Sequence, residues 1–249
     1  MPQFVHLHVH TQYSILDGQA SVQRLVDKAM ADGQPGIAVT DHGDMFGIKE
    51  FYNYVQKVKG KCKDKAAEAE ARIAALRDGT ETCADPAAEI AKCERQLEEC
   101  RRKLAFKPII GCEVYVAPRG RTRFQKVHEF DSSFHHLVLL CRNEEGYRNL
   151  SYMVSQAFLE GFYIKPRIDL DLLREHCGGL IACSACLGGE VPKLLAAGDY
   201  DKAKEVALEM RELFGADGYY LELQDHGIPV QRQVNGCLLY TSPSPRDRG

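Results

Sequence analysis

Short runs rich in β-branched and other apolar residues recur at residues 4–9, 36–40, 108–116, 137–141, 180–183 and 219–223. Bounded by polar or turn-forming residues, they predict six strands. Between most of them the apolar positions return every three or four residues, over 22–31, 47–58, 145–160 and 201–214, which predicts amphipathic helices. This β-α alternation is that of a parallel sheet, either a barrel or a doubly wound sheet.

Residues 60–105 break the rhythm. The segment has no aromatic residue and is dense in Lys, Glu, Arg and Ala. Ile90, Cys93, Leu97, Cys100 and Leu104 are spaced by three and four, and Cys62, Ala66, Ala69, Ile73 and Leu76 form a matching stripe upstream. Gly79 breaks the helical pattern between them, and Asp85-Pro86 supplies an N-cap followed by a first-turn proline. The spacing predicts an antiparallel helical hairpin inserted into the domain. Cys93 and Cys100 lie on its apolar seam, and with no CxxC pair or nearby His they read as packing residues before a zinc site. Residues 237–249 carry no periodicity and end in a disorder-like Pro/Ser/Arg composition, so they read as a non-native tail.

A chain of 249 residues with 45% hydrophobic residues can bury a sizeable core, and a formal net charge of -3 gives no global pull toward nucleic acid or an anionic membrane. Any nucleic-acid contact has to be local. No apolar run reaches the roughly 18 residues of a membrane span, and the start lacks a signal-peptide pattern, so a cytoplasmic chain without membrane partners is expected. The ten cysteines are scattered and therefore read as free thiols with one candidate metal ligand.

The strongest chemical signal is His6-Leu7-His8-Val9-His10-Thr11, where period two would point three imidazoles to one face of a strand. Grouping them is costly unless a cation organises them, so a metal site is expected. Thr40-Asp41-His42-Gly43 repeats the pattern at the end of the next strand, where α/β folds build their sites. Glu113 interrupts an apolar strand, and either faces outward or has a cation beside it.

His8-x-His10-Thr11 with Asp17 before Gly18, then Thr40-Asp41-His42-Gly43, then Gly111-x-Glu113, resemble in chain order the PHP family (polymerase and histidinol phosphatase). The stretch from Phe4 to Gly18 is similar to the opening of the alpha subunits of bacterial C-family replicative DNA polymerases. Downstream, the stretch from His136 to Leu140, Gly146-Tyr147-Arg148-Asn149-Leu150, Gly161-Phe162-Tyr163-x-Lys165-Pro166-Arg167-Ile168-Asp169 and Ser184-x-Cys186-Leu187-Gly188-Gly189-Glu190 are similar to the same subfamily. The likeness covers residues 3–235 outside the predicted hairpin.

The resemblance implies an α/β fold, a PHP-type seven-stranded β/α barrel (distorted TIM-like). Residues 1–236 would form this PHP domain, which would stop before its last strand and its final Asp-x-His motif. It implies a rim holding up to three divalent metals, Zn²⁺, Mn²⁺ or Fe²⁺, on His8, His10, Asp17, His42, Glu113, His136 and Cys186. His6, Asp41 and His226 would support these ligands, and Lys165 and Arg167 could reach a substrate phosphate. His136 opens its predicted strand where the others close theirs, which does not suit a parallel rim. The implied chemistry is phosphoester hydrolysis, in the form of a 3′–5′ exonuclease. The polymerase site, with its Mg²⁺, would lie in further domains. Implied partners are DNA, those domains, a proofreading exonuclease subunit and a sliding clamp. The rival readings are a stand-alone phosphatase, such as one acting on histidinol phosphate, and a structural module that docks an exonuclease.

Overall fold

The computed structural model describes residues 4–241 and organises its sheet on one long strand, β2 (Lys107–Val116). The first half of β2 pairs in parallel with β1 (Gly36–Val39), Gly36 against Lys107 and Val39 against Ile110. The second half pairs antiparallel with β3 (His135–Cys141), Glu113 opposite Val138 and Tyr115 opposite His136. The end of β2 also pairs in parallel with a strand absent from the sequence reading, β4 (Arg167–Ile168). Beyond β3 come β5 (Leu180–Cys183), antiparallel to it, and β6 (Tyr219–Tyr220), parallel to β5.

The sheet is therefore mixed, not parallel throughout as the β-α alternation suggested. The link from β2 to β3 contains only the four-residue α4 (His128–Asp131), without the crossover helix a parallel return requires. This reversal removes the mismatch at His136. The start of an antiparallel strand lies at the same edge of the sheet as the ends of its parallel neighbours.

Residues 4–9 do not form the expected strand. They run beside β1, where the N–H groups of Ala38 and Thr40 donate to the carbonyls of His6 and Val9, both at 2.9 Å. The two-residue step from Ala38 to Thr40 thus matches a three-residue step from His6 to Val9, and the extra residue breaks the period of two as a bulge does. His6 is left exposed, its ring edge-on to Phe4 at 4.8 Å.

Alternation assigns the two sides of the sheet. Cys112, Val114, Leu137, Leu139 and Ala182 pack outward on Leu150 and Met153 of α5 (Glu144–Leu159), Leu173 of α6 (Leu170–His176) and Met210 of α8 (Tyr200–Phe214). Ala38, Val138, Leu140, Cys183 and Ala185 cluster on the opposite side, and Glu113 falls there by register. Ile37 and Val39 pack on α1 (Val22–Ala31), where Ser21 caps the helix by accepting from the Arg24 N–H, and on Phe51 and Val55 of α2 (Ile48–Asp78). Val191 and Leu195 of α7 (Glu190–Ala196) pack with Val206 of α8 and with Val234 and Leu238 of α9 (Pro229–Thr241). Residues 237–241, read from sequence as tail, are therefore helical, because Leu238 completes an apolar face. Residues 242–249 lie outside the described residues.

Helix α2 (Ile48–Asp78) does not pause after Val58. Gly60 sits within it, and it runs 31 residues to Gly79, whose φ of 79° only glycine adopts without strain. Helix α3 (Pro86–Ala105) starts with Asp85 accepting from the Ala88 N–H and returns along α2. Ala69 and Ile73 meet Cys93 and Leu97 on the shared seam, and the Gln96 amide donates to the Lys65 carbonyl at 3.4 Å.

Candidate metal centre

Glu113 is the centre of the site because the alternation of β2 turns it away from the helices and leaves its carboxylate wholly buried. Four imidazoles surround it. His136 Nδ1 lies 2.7 Å from Oε1, and His8 Nε2 lies 3.4 Å from the same oxygen. His42 Nδ1 lies 2.5 Å from Oε2, and His10 Nε2 3.6 Å from it. Asp17 and Cys186 extend the cluster: Asp17 Oδ2 is 2.9 Å from His42 Nε2, and Cys186 Sγ is 3.6 Å from both Glu113 Oε1 and His136 Nδ1.

Backbone geometry explains how distant parts of the chain meet. His42 follows β1 and bridges to Glu113 in parallel pairing, and His136 opens β3 beside Gly189. Ala185 is held at φ 62°, an uncommon conformation for a residue with a Cβ, and turns the chain into the loop that presents Cys186. Asp41, 1% exposed, accepts from the Thr11 N–H (2.6 Å), the Thr11 hydroxyl (2.8 Å) and the Ser14 hydroxyl (2.7 Å), and Ser14 Oγ accepts from the His42 N–H (3.1 Å). Asp41 therefore anchors the turn between His10 and Asp17.

Electrostatics separate the members. Burial disfavours a charged Glu113, yet His136, His42 and His8 hold its carboxyl far below the usual carboxylate range. Burial also opposes charge on His8, but Glu113 and Glu222 outweigh it and raise His8 to about 9. His42 is raised against its burial by Glu113 and Asp17, whereas burial and the neighbouring His42 lower His10. Burial, then Glu113, push the Cys186 thiol up to about 11.

Two groups among the described residues could hold a metal ion, His8 with His10 and Glu113, and His42 with Glu113 and His136, and Glu113 belongs to both. The fit is supported by two atoms that protein contacts leave unsatisfied. Glu113 Oε2 and His42 Nδ1 are buried and close, yet neither makes an aligned hydrogen bond. A buried polar atom without a partner is costly, and a cation satisfies both.

Three expectations need correction. His6 stays exposed because of the extra residue between it and Val9. Arg167 cannot reach a phosphate: it is 3% exposed, and its guanidinium donates to the carbonyls of Gly161 and Asp131. His226 is exposed and bonded to Gln231 of α9, not to the cluster. Lys165 stands near the rim, its Nζ 5.4 Å from the Tyr115 ring, which stacks 6.2 Å from His42.

Glu222 escaped the sequence reading. It lies 2.7 Å from His8 Nδ1 and accepts from the Gln224 amide at 2.7 Å, so it fixes the ring that presents Nε2 to Glu113. The signal was available, since Glu222 interrupts an apolar run as Glu113 does.

The chain is 40% identical over 236 residues to the DNA polymerase III subunit alpha of Treponema pallidum, covering 95% of this chain and 16% of that protein. The Deinococcus radiodurans subunit is 40% identical over 242 residues, covering 95% and 15%, and the Thermus aquaticus subunit 37% over 238, covering 95% and 16%. The chain thus spans about a sixth of the length of the curated relatives it matches. The PHP domain family model matches residues 6–226, which include every histidine and carboxylate of the centre, and the chain belongs to the PHP domain family.

Proposed function

We propose that this chain is the PHP portion of a DNA polymerase III alpha subunit and that its rim hydrolyses phosphoesters with bound divalent transition metals, as a 3′–5′ exonuclease does. The observation that carries the reading is Glu113, a fully buried carboxylate shared by two potential metal groups, with unsatisfied atoms where they meet. Imidazole, carboxylate and thiolate donors favour Zn²⁺, Mn²⁺ or Fe²⁺ over a hard all-oxygen preference. Such ions, when bound, polarise a phosphodiester and lower the pKa of water for attack.

The side chains supply the rest. Glu113 gives negative charge to both groups, and Glu222 orients His8. Asp17 and Cys186 complete the ligand set, and Lys165 offers a cation beside Tyr115 for a substrate phosphate. In this reading the sheet is part of a seven-stranded barrel, residues 60–105 are an accessory insertion, and polymerisation with its Mg²⁺ belongs to other domains of a cytoplasmic parent protein. DNA, those domains, a proofreading subunit and a clamp are the proposed partners. No helix among the described residues is long and apolar enough to cross a membrane.

The test is release of nucleotides from a 3′-labelled single-stranded oligonucleotide by the chain loaded in turn with Zn²⁺, Mn²⁺ and Fe²⁺. Metal-dependent release that is lost in His10→Asn is expected. Tight metal binding without hydrolysis of an oligonucleotide or a simple phosphodiester would overturn the catalytic reading.

A further inference from the structure

Directly after β2, residues 117–128 hold Arg119, Arg121, Arg123 and Lys126 and no carboxylate, in a chain whose net charge is -3. Arg121 is engaged by Asp169 at 2.9 Å and Glu160 at 3.0 Å. Arg119, Arg123 and Lys126 are exposed, and among the described residues none of the three has an ion pair. Aromatic rings lie between these cations. Phe124 and Phe130 are each 43% exposed, and the Arg119 guanidinium sits 4.0 Å from the Phe130 ring centre.

A chain of side-chain contacts links this surface to the metal centre, passing through the buried Tyr115. The Phe124 ring lies 5.9 Å from Tyr163, whose backbone pairs with that of Lys165. Lys165 Nζ lies over Tyr115, and the Tyr115 ring is 5.3 Å from His136. A strand of contacts therefore runs from the loop to the rim.

The chemistry decides which occupant suits it. An apolar protein face would have to desolvate three cations while supplying no anion to pair with them. An acidic peptide would neutralise the cations but offer no flat rings to the phenylalanines. A single-stranded nucleic acid provides both, phosphates for Arg and Lys and bases that stack on exposed rings. We propose that residues 117–128 and the exposed ring of Phe130, together with Lys165, bind single-stranded nucleic acid, Arg119, Arg123 and Lys126 contacting phosphates and Phe124 and Phe130 stacking bases, with Glu129 of α4 the one exposed carboxylate beside them. That the strip delivers a strand end to the rim rests on the phosphoesterase reading, but the binding itself does not.

The experiment measures fluorescence anisotropy of a labelled oligo(dT) with the full chain across a KCl series. Three phosphate contacts to a single strand give a slope of log K against log salt of about −2. R119Q/R123Q/K126Q is expected to abolish most of that slope, and R119K/R123K to keep it. F124A/F130A is expected to weaken binding about tenfold or more at each salt concentration with the slope retained. A triple-glutamine variant with unchanged slope and affinity overturns the proposal, as does a polyglutamate peptide competing as well as unlabelled oligo(dT). Hydrolysis of bis(p-nitrophenyl) phosphate reads the rim without the strip. If that activity is absent while oligo(dT) binding responds as expected, the strip stands and the phosphoesterase reading falls. If the activity is present while binding ignores the substitutions, the strip alone falls.

Discussion

Replacing Glu113 by Gln keeps the shape of the side chain and removes its charge from the point where the two metal groups join. Four imidazole nitrogens lie between 2.5 and 3.6 Å from its oxygens. At an effective dielectric of about 20, a unit charge at roughly 3 Å from another is worth about 5 kcal/mol, so the substitution acts on the whole cluster. Loss of a residue that merely supports a ligand costs about 10–100-fold in metal affinity, and loss of a shared anionic ligand is expected to exceed 100-fold, about 2.7 kcal/mol, in both groups. His10→Asn and His136→Asn should each weaken only the group to which the histidine belongs. Metal retained after dialysis against graded chelator, quantified by mass spectrometry, distinguishes these patterns. Metal content in Glu113→Gln within tenfold of the unmodified chain, or loss of only one ion, would refute the shared-carboxylate reasoning. The pH dependence follows the same carboxyl. Its folded pKa lies below its unfolded value near 4.5, so its stabilising contribution is present above 4.5 and is lost as acid protonates it; Glu113→Gln should flatten that acid limb of the metal-free protein.

Ser14→Ala removes a hydroxyl that bonds both Asp41 and the His42 N–H, and should lower stability by about 1–2 kcal/mol in urea unfolding while the metal ligands remain. His135, with Nδ1 buried and unpartnered, is lowered to about 4 by burial and then by Lys193 and His136. Its unfolded form binds a proton near 6.5, so stability should fall as pH drops from 6.5 to 4, by about 2 kcal/mol after solvent screening, and His135→Leu should remove that slope in pH-dependent melts. Gly43 has φ 66°, and a Cβ there would lie 2.8 Å from the Tyr115 ring and 2.9 Å from Pro166. Gly43→Ala should cost about 1–3 kcal/mol and reduce metal affinity through the adjacent His42, measured by calorimetric titration.

Where local pattern was strong, the sequence determined the result. The 22–31 periodicity is helix α1 to the residue, and the Asp85-Pro86 signal marks the start of α3, because caps and apolar spacing act within a few residues. His8 and His10 were legible as chemistry because histidines alternate there, His42 because it sits at the end of a predicted strand, and Glu113 because it places a charge inside an apolar one. What the sequence could not supply is the direction of β3 and the register of residues 4–9. Both depend on pairing between segments far apart in the chain. The reversal of β3 brings His136 to Glu113, and the extra residue between His6 and Val9 separates His6 from His8. Arg167 and Glu222 exchange their apparent importance for the same reason. Folding buries the guanidinium among carbonyls and sets the carboxylate against His8, contacts fixed by packing across more than 200 residues in the case of Glu222 and therefore invisible to local spacing.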